Sequence, residues 1–420
     1  MKVQLFNPPF FHYGDMQYKM LPGLGLPILA SVLNKAGHYT EVVDLEALGI
    51  PPDRLYAAFA GQRENWPDVI GITALNIGAR GAKESIAALR KAGFNGRIVV
   101  GGAYATARPE DALSWNCDLV VTGECEGNIV ELLESEAEGI QPGKRCTIED
   151  VPQPDWDHYS PGLNSYTGNM QFLRDHPGIT MFTRGCPYQC IFCSNQVFNH
   201  QPTRYRPPES IEVEMRDLKA RGCRNIYVYD DELIGTRMPD GWMHDIADRL
   251  EPLGLRWVTQ GRCSRKYVTP EIMADVKRSG CQMVFWGVES FSQRILDAMH
   301  KHLTADDILH TLRISKQAGI QNGIFTMIGN YQETEDDLEI TRDLLAQAYK
   351  EGLVDYRQTT VCTVMPGTEL ERISKREGWY SDPSETGRNI HTAVGTPWLT
   401  PGQINHWQGM FNNACPVGMP

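Results

Sequence analysis

Short β-branched runs alternate with helix-period stretches along most of this chain, and that alternation constrains its fold more than any other feature. The runs at 3–6, 41–44, 69–72, 97–100 and 119–122 are nearly continuous in apolar residues, with helical patterns such as 26–36 and 82–91 between them. Near-continuous apolar strands separated by helices predict a parallel sheet covered on both faces. A second series follows at 179–183, 225–229, 257–260, 283–288, 323–328 and 357–361, with helices expected over 209–220, 240–252, 270–279, 304–318 and 335–350. Thr304 with Asp306 and Asp307, and Thr334 with Glu335, read as helix starts. Six βα units fall short of the eight of a closed barrel, so a partial (β/α)6 barrel is expected. The fold class is therefore α/β: a Rossmann-like parallel sheet, a partial barrel and a short C-terminal extension.

Pro142, Pro152, Pro154, Pro161 and Pro177 punctuate the stretch between the two series, which reads as a surface connector. The expected division is 1–138 for the first domain, 139–177 for the Pro-rich linker, 178–368 for the barrel and 369–420 for the extension. The tail from about 362 onward holds Pro366-Gly367, Pro397, Pro401, Pro416 and Pro420; it is expected to be irregular and to cap the barrel mouth.

Directly after the first strand of the second series stands Arg-Gly-Cys-Pro-Tyr-Gln-Cys-Ile-Phe-Cys, residues 184–193. Iron–sulfur clusters are held by cysteine thiolates, and a four-iron cluster ordinarily takes four. Cys186, Cys190 and Cys193 supply three, leaving one iron open to a substrate or cofactor. A structural zinc site wants a fourth ligand at close spacing; His200 is near, but C-x3-C suits zinc poorly. Disulfide pairing within the triad would leave an odd thiol. Functional groups in parallel barrels gather at the strand C-termini, which is where this loop falls.

The triad, with Phe192 before its third cysteine, resembles the radical S-adenosylmethionine (SAM) superfamily. The resemblance implies a [4Fe-4S] cluster whose open iron chelates the amino and carboxylate groups of SAM, reductive cleavage to a 5′-deoxyadenosyl radical, and hydrogen abstraction from an unactivated carbon. It places Phe192 against the adenine. It assigns Tyr229-Asp230-Asp231-Glu232, after the second strand, to the SAM amino group, with Tyr229, Asp231 and Glu232 as contacts. Gly287-Val288-Glu289-Ser290 resembles the segment that meets ribose and carboxylate, with Glu289 and Ser290 as contacts. Arg262, after the third strand, is assigned either to the SAM carboxylate or to an internal salt bridge. Ile328-Gly329-Asn330 resembles the family's turn near adenine, here with Asn330-Tyr331 in place of the usual proline, and Gly329 is its contact residue. Pro366-Gly367-Thr368 matches as a turn.

The first domain resembles the cobalamin-binding domain that precedes the radical SAM core in one large subfamily. Asn7-Pro8-Pro9, Gly23-Leu24-Gly25, 68–73, 100–106 and Gly123-Glu124-Cys125-Glu126 carry that likeness. It implies cobalamin contacts at Asn7, Pro8, Thr73, Leu75, Asn76, Gly101, Gly102 and Gly123, with Leu75 and Asn76 facing the cobalt. Neither His12 nor His38 stands in an Asp-x-His-x-x-Gly context, so no histidine ligand is expected. Cys125 departs from the subfamily's Gly-Glu-Gly-Glu. The reaction these likenesses favour is cobalamin-dependent C-methylation of a small biosynthetic substrate. The alternative is a cobalamin-independent radical dehydratase or deoxygenase acting on an aminoglycoside-type sugar, which needs a general acid such as a Tyr, Asp or Glu at the barrel mouth. A flavodoxin or ferredoxin-type reductant, or a dedicated reductase, is implied as electron donor.

Charge and composition bound the partners. A formal net charge of −12 argues against nucleic acid; it is compatible with a cationic substrate, but solubility is the reading it favours. No apolar run reaches membrane-spanning length, and Met1–Pro9 does not read as a secretory signal. With 11 cysteines, most of them scattered, a reducing cytoplasmic compartment is expected.

Overall fold

The computed structural model describes residues 1–9, 21–61, 63–168, 171–174, 176–198, 202–381 and 395–417; His12 and His200 lie outside the described residues. The chain divides into two compact units, one comprising 1–169 with 382–387 and the other 170–381 with 388–420.

The first unit is built on a seven-stranded sheet. Its strands are β1 (Lys2–Asn7), β2 (Tyr39–Asp44), β3 (Val69–Thr73), β4 (Arg97–Gly101), β5 (Leu119–Thr122), β6 (Gly139–Pro142) and β7 (Tyr159–Ser160). They lie in the order β6-β5-β4-β3-β1-β2-β7, all parallel. Both edge strands come from the stretch expected as a plain connector. The sequence obscured β6 because Gly139 and Pro142 bound it, yet a proline costs little on an edge strand. Tyr159 of β7 and Tyr166 beyond it are buried and donate to the Asp44 carboxylate at 3.2 and 2.6 Å, tying this stretch to the end of β2. Ile70, Ile72, Ile98, Val100 and Val120 pack with Ala82, Ile86 and Leu89 of the helix Ala79–Lys91 to form the core. The chain leaves β1 to one side for β2 and then crosses to the other for β3. The carboxyl ends of β1 and β3 therefore flank the topological switch point, where ligands of open α/β sheets bind.

The second unit holds six parallel strands, β8 (Pro177–Thr180), β11 (Asn225–Val228), β12 (Arg256–Gly261), β13 (Cys281–Glu289), β14 (Gln321–Ile328) and β15 (Tyr356–Val361), in sequential order. The intervening β9 (Thr183–Arg184) and β10 (Arg204–Tyr205) form a separate antiparallel ladder. The strand expected over 179–183 thus breaks after Thr180. Asp230 causes the break: its buried carboxylate accepts from Phe182 N at 2.8 Å and Thr183 Oγ1 at 2.7 Å, drawing the backbone out of the sheet. The expected helices form, and Thr304 and Thr334 each close a capping box with Asp307 and Asp337. Trp257 and Trp286 are fully buried, their indole N–H groups donating to Ser279 O and Asn322 Oδ1.

The C-terminal extension is not irregular. It contains the helices Glu369–Arg376 and Pro401–Ala414, each capped by the preceding threonine. The second lies along the helix Glu335–Lys350, with Trp407 Nε1 donating to Glu335 at 2.9 Å, and the chain beyond it covers the exposed edge of β15 through Arg357 N to Val417 O at 2.8 Å. An uncovered edge strand invites unwanted pairing, and this tail takes up one position of that edge. Among the described residues no helix is long and apolar enough to cross a membrane.

Candidate functional site

Because the six strands of the second unit are parallel, everything that follows a strand collects at one edge of the sheet. The cysteine loop follows β8, Asp230–Glu232 follow β11, Arg262 follows β12, Glu289 ends β13, Gly329 follows β14 and Cys362 follows β15. This common edge is the candidate site.

Three anchors hold the cysteine loop. Asp231 accepts from Gly185 N at 3.1 Å, just before the first cysteine, and from Asn195 Nδ2 at 3.0 Å, just after the third. Ile191 N donates to Met299 O at 3.1 Å, and Ile191 O accepts from Leu370 N at 2.9 Å. Tyr188, between the first two cysteines, donates its hydroxyl to Gly235 O at 2.9 Å and offers its ring face to the Arg262 guanidinium 3.9 Å away. Burial pushes the Cys186 thiol up to about 12, with the Glu232 carboxylate and the other two cysteines adding to the rise; burial likewise pushes Cys193 up to about 11. Metal ligation takes the thiolate, so loading a metal on Cys186 and Cys193 must release their protons. Among the described residues no three His, Cys, Asp or Glu side chains converge as ligands of a single ion would. In a cubane each thiolate binds its own iron, so such convergence is not required.

Beside the loop lie two buried, ionisable side chains with unpaired atoms. Arg262 is buried; its Nη1 points at Cys190 Sγ at 3.7 Å while Nη2 has no partner. Glu232 is buried with Oε1 unpartnered, and burial outweighs the pull of Arg262 and Lys301 to raise its carboxyl to about 7. Unsatisfied buried polar groups are costly, and a polar ligand bound between these two would relieve that cost. An orphaned acceptor and an orphaned guanidinium donor at one edge are the complement of an amino acid's ammonium and carboxylate. The internal-salt-bridge alternative for Arg262 finds no carboxylate partner among its described contacts.

The other residues assigned to SAM divide. Glu289 sits at the strand end with φ +63°, its carboxylate 3.3 Å from the buried Lys301 ammonium. Gly329 has φ +81° and donates its N–H to Glu333 at 2.7 Å; Glu333 also accepts from Asn330 N at 3.1 Å and Asn330 Nδ2 at 2.9 Å, so this pair holds the turn that proline would otherwise set. Phe192 packs against the small buried cluster of Ile191, Leu370 and Ile373, which Tyr331 and Cys362 also flank. Tyr229 leaves its side chain exposed. Asp231 is committed to the loop. Ser290 is not brought to the edge: it is fully buried, with its hydroxyl 3.0 Å from Thr341 Oγ1 and accepting from Ser292 N at 3.1 Å. Lys301 and Glu333 escaped the sequence reading. For Glu333 the acid following the glycine turn was a usable signal; Lys301 had none.

In the first unit the switch-point edge is open and partly apolar. Leu75 and Ile77 are 40% and 38% exposed, beside Asn76. Gly102 has φ +100°, and a Cβ there would stand 2.8 Å from Ala74 O and 2.9 Å from Thr73 Oγ1, so only glycine lets β3 and β4 end so close together. Gly123 has φ +77° with open space before its Cα, while Gly101 has its nearest neighbour at 3.7 Å. Pro8 and Pro9 are buried, and Pro9 O lies 1.7 Å from where a Gly81 Cβ would stand. Asn7 is turned aside, donating to Asp44 at 3.0 Å rather than facing the crevice. His38 stands away from this edge, 3.3 Å from Glu134. An exposed apolar rim above glycine-lined strand ends fits the flat face of a large planar cofactor.

Residues 180–345 match the Radical SAM superfamily, and residues 18–133 match the B12 binding domain. An uncharacterized methyltransferase of Pyrococcus horikoshii is 26% identical over 377 residues, which cover 83% of this chain and 77% of that protein. The hopanoid C-3 methylase of Methylococcus capsulatus is 23% identical over 393 residues, 90% of this chain and 73% of that one. The anaerobic magnesium-protoporphyrin IX monomethyl ester cyclase of Cereibacter sphaeroides is 24% identical over 368 residues, 80% and 58% of the two chains. Among solved structures, the radical SAM methyltransferase TsrM from Kitasatospora setae, with cobalamin and a [4Fe-4S] cluster bound, superposes with a TM-score of 0.69 at 17% identity, covering 100% of this chain and 93% of that one. The cobalamin-dependent radical enzyme OxsB, with aqua-cobalamin and SAM bound, gives 0.72 at 17% identity, covering 97% and 66%. The likeness to these two structures is one of fold.

Proposed function

We propose that this chain, which carries a radical SAM domain and a B12-binding domain, is a cobalamin-dependent methyltransferase acting at an unactivated carbon of a small molecule. The observation that carries the SAM half is the pair of buried, unpartnered groups, Glu232 Oε1 and Arg262 Nη2, beside three cysteines at one strand-end edge. The open apolar rim at Leu75 and Ile77 supports cobalamin, and relatives named as methyltransferases and methylases support methylation over loss of water. When bound, the cluster with SAM supplies a hydrogen-abstracting adenosyl radical, and cobalamin supplies the methyl group.

The chain's own residues bind, orient and shield. Cys186, Cys190 and Cys193 would hold three corners of the cluster, and Asp231 fixes the spacing of the loop that carries them. Arg262, stacked on Tyr188, presents one nitrogen to Cys190 and keeps the other for a carboxylate. Glu232 would accept from the ammonium of the same ligand, and Glu289 from its ribose hydroxyls. Phe192, in its apolar cluster, gives the adenine a dry wall. Holding reacting groups in register while excluding water is the protein's share of such chemistry. A flavodoxin or ferredoxin-type donor would deliver the electron.

Anaerobic reconstitution tests the reading. The protein should retain cobalamin stoichiometrically, cleave SAM, and give a product heavier by one methylene. Replacing all three loop cysteines by alanine should abolish cluster absorbance and SAM cleavage together. A product that has lost water without gaining a methyl group, from protein that keeps no cobalamin, would replace methylation by dehydration.

A further inference from the structure

Lys301 is the only buried lysine among the described residues, and the backbone around it is strained to put it there. It follows the helix Gln293–Ala298 in the stretch His300-Lys301-His302, whose two histidines have φ +56° and +50°. Left-handed backbone costs a non-glycine residue about 1–2 kcal/mol. The two reversals leave both imidazoles exposed, stacked 6.0 Å apart, and turn Lys301 inward. Inside, Nζ lies 3.3 Å from Glu289 Oε1, on a third left-handed residue, just past a register shift between β13 and β14. A Cβ on Gly287 would stand 3.2 Å from Lys301 Nζ and 3.1 Å from Glu289 Oε1, so the glycine leaves room for the pair. The same turn is tied to the cysteine loop, since Met299 O accepts from Ile191 N between the second and third cysteines.

A buried ion pair seldom stabilises a fold better than apolar side chains of the same volume. Three strained residues serving one such pair therefore need a use beyond stability. The ammonium also acts on its surroundings: it counters the upward push of burial on Cys263 and Glu232. We propose that Lys301 is a positioning residue that holds Glu289 at the end of β13 for the SAM nucleoside and sets a fixed positive charge against the cysteine loop, favouring the reduced cluster. A nearby cation stabilises the extra negative charge of reduction, and cluster potentials respond to net charge around them. This inference rests on the reading of the loop as a SAM-binding cluster site.

The test uses the reconstituted full chain, with SAM affinity from equilibrium dialysis and the cluster midpoint from a redox titration followed by electron paramagnetic resonance. Lys301→Met should keep wild-type iron content, bind SAM roughly tenfold more weakly, and shift the oxidised-to-reduced ratio tenfold, a midpoint lower by about 59 mV for one electron. Lys301→Arg should recover most of both losses. Glu289→Gln should also weaken SAM but move the midpoint the opposite way, upward, because it leaves the ammonium unpaired; this variant carries the test should Lys301→Met fail to fold. An iron-loaded Lys301→Met with wild-type midpoint and affinity, equal losses in Lys301→Met and Lys301→Arg, or an unshifted midpoint in Glu289→Gln each overturns the proposal. Wild-type protein that assembles no cluster would instead sink the underlying function.

Discussion

Removing the Asp231 carboxylate should loosen the cysteine loop without unfolding the domain. One side chain joins Gly185 N at 3.1 Å and Asn195 Nδ2 at 3.0 Å, so it closes the loop that carries all three cysteines. Hydrogen bonds to a charged acceptor contribute about 1.5–3 kcal/mol each. Asp231 is only half-buried, so water recovers part of that, and about 2–3 kcal/mol is the expected loss for the pair. At 1.4 kcal/mol per factor of ten, Asp231→Ala should raise the open fraction of the loop roughly 30- to 150-fold. Hydrogen exchange of the peptide 184–198 in metal-free protein reads that change directly, and global unfolding in urea supplies the control. After reconstitution, the same variant should surrender iron to a chelator faster by a comparable factor.

Two further variants separate the carboxylate's geometry from its charge. Asp231→Asn keeps an acceptor for Gly185 but sets one amide NH2 against another at Asn195, so about half the protection should go. Combining it with Asn195→Asp exchanges donor and acceptor and should return most of what was lost. Exchange in Asp231→Ala equal to wild type, or a double variant no better than Asp231→Asn, would refute the clamp.

Glu333 is buried, and that burial lifts its carboxyl to about 7 despite the hydrogen bonds from Asn330 and Gly329. Its folded value lies above its unfolded one, so its contribution to stability is full below about pH 4.5 and fades as pH rises through 7; Glu333→Gln should flatten urea-derived stability between about pH 5 and 8 by up to ~3 kcal/mol. Gly102→Ala forces a Cβ to 2.8 Å from Ala74 O at a positive φ and should lower stability by about 2–3 kcal/mol while reducing cobalamin retention, both measurable on one preparation. Arg262→Lys loses the planar stack on Tyr188 and the fork toward a carboxylate, and equilibrium dialysis should show SAM bound about tenfold more weakly at unchanged iron content.

What the sequence made legible was set by periodicity and by residues with unusual chemistry. Every strand of the second sheet announced itself through β-branched runs, and the cysteines through their spacing. Asp230, Asp231 and Glu232 looked like a single ligand-binding segment, yet strand-end geometry sends them three ways: to the backbone after β8, to the cysteine loop, and to the buried charge centre. No pattern along the chain encodes that division, because it depends on where neighbouring strands end. The C-terminal helix was legible in principle. Thr400-Pro401-Gly402-Gln403 is a capping box with proline at the first helical position, although the prolines scattered through the tail point equally to irregular chain. Lys301 lay beyond reach, since only the backbone angles of its flanking histidines reveal why it points inward.

The net charge of −12 does not describe the site, and this bears on the expectation of a cationic substrate. On the outer helices the acids are tied into exposed networks: Arg249 meets Glu209, Glu212 and Asp245, and Arg278 meets Asp248, Glu251 and Asp275. At the strand-end edge two buried bases, Arg262 and Lys301, lie among two acids, Glu232 and the Lys301-paired Glu289, so this edge carries no large excess of negative charge. Exposed charges more than a Debye length from a ligand are screened, about 8 Å at physiological salt, whereas buried groups are screened far less. Recognition of SAM by these four residues should therefore be nearly indifferent to ionic strength. We expect its dissociation constant to change less than about twofold between 0.05 and 0.3 M salt, roughly the range over which surface attraction is lost. A steep weakening with salt would mean that the acidic exterior does draw cations to this edge, and the case for a polycationic substrate would then be restored.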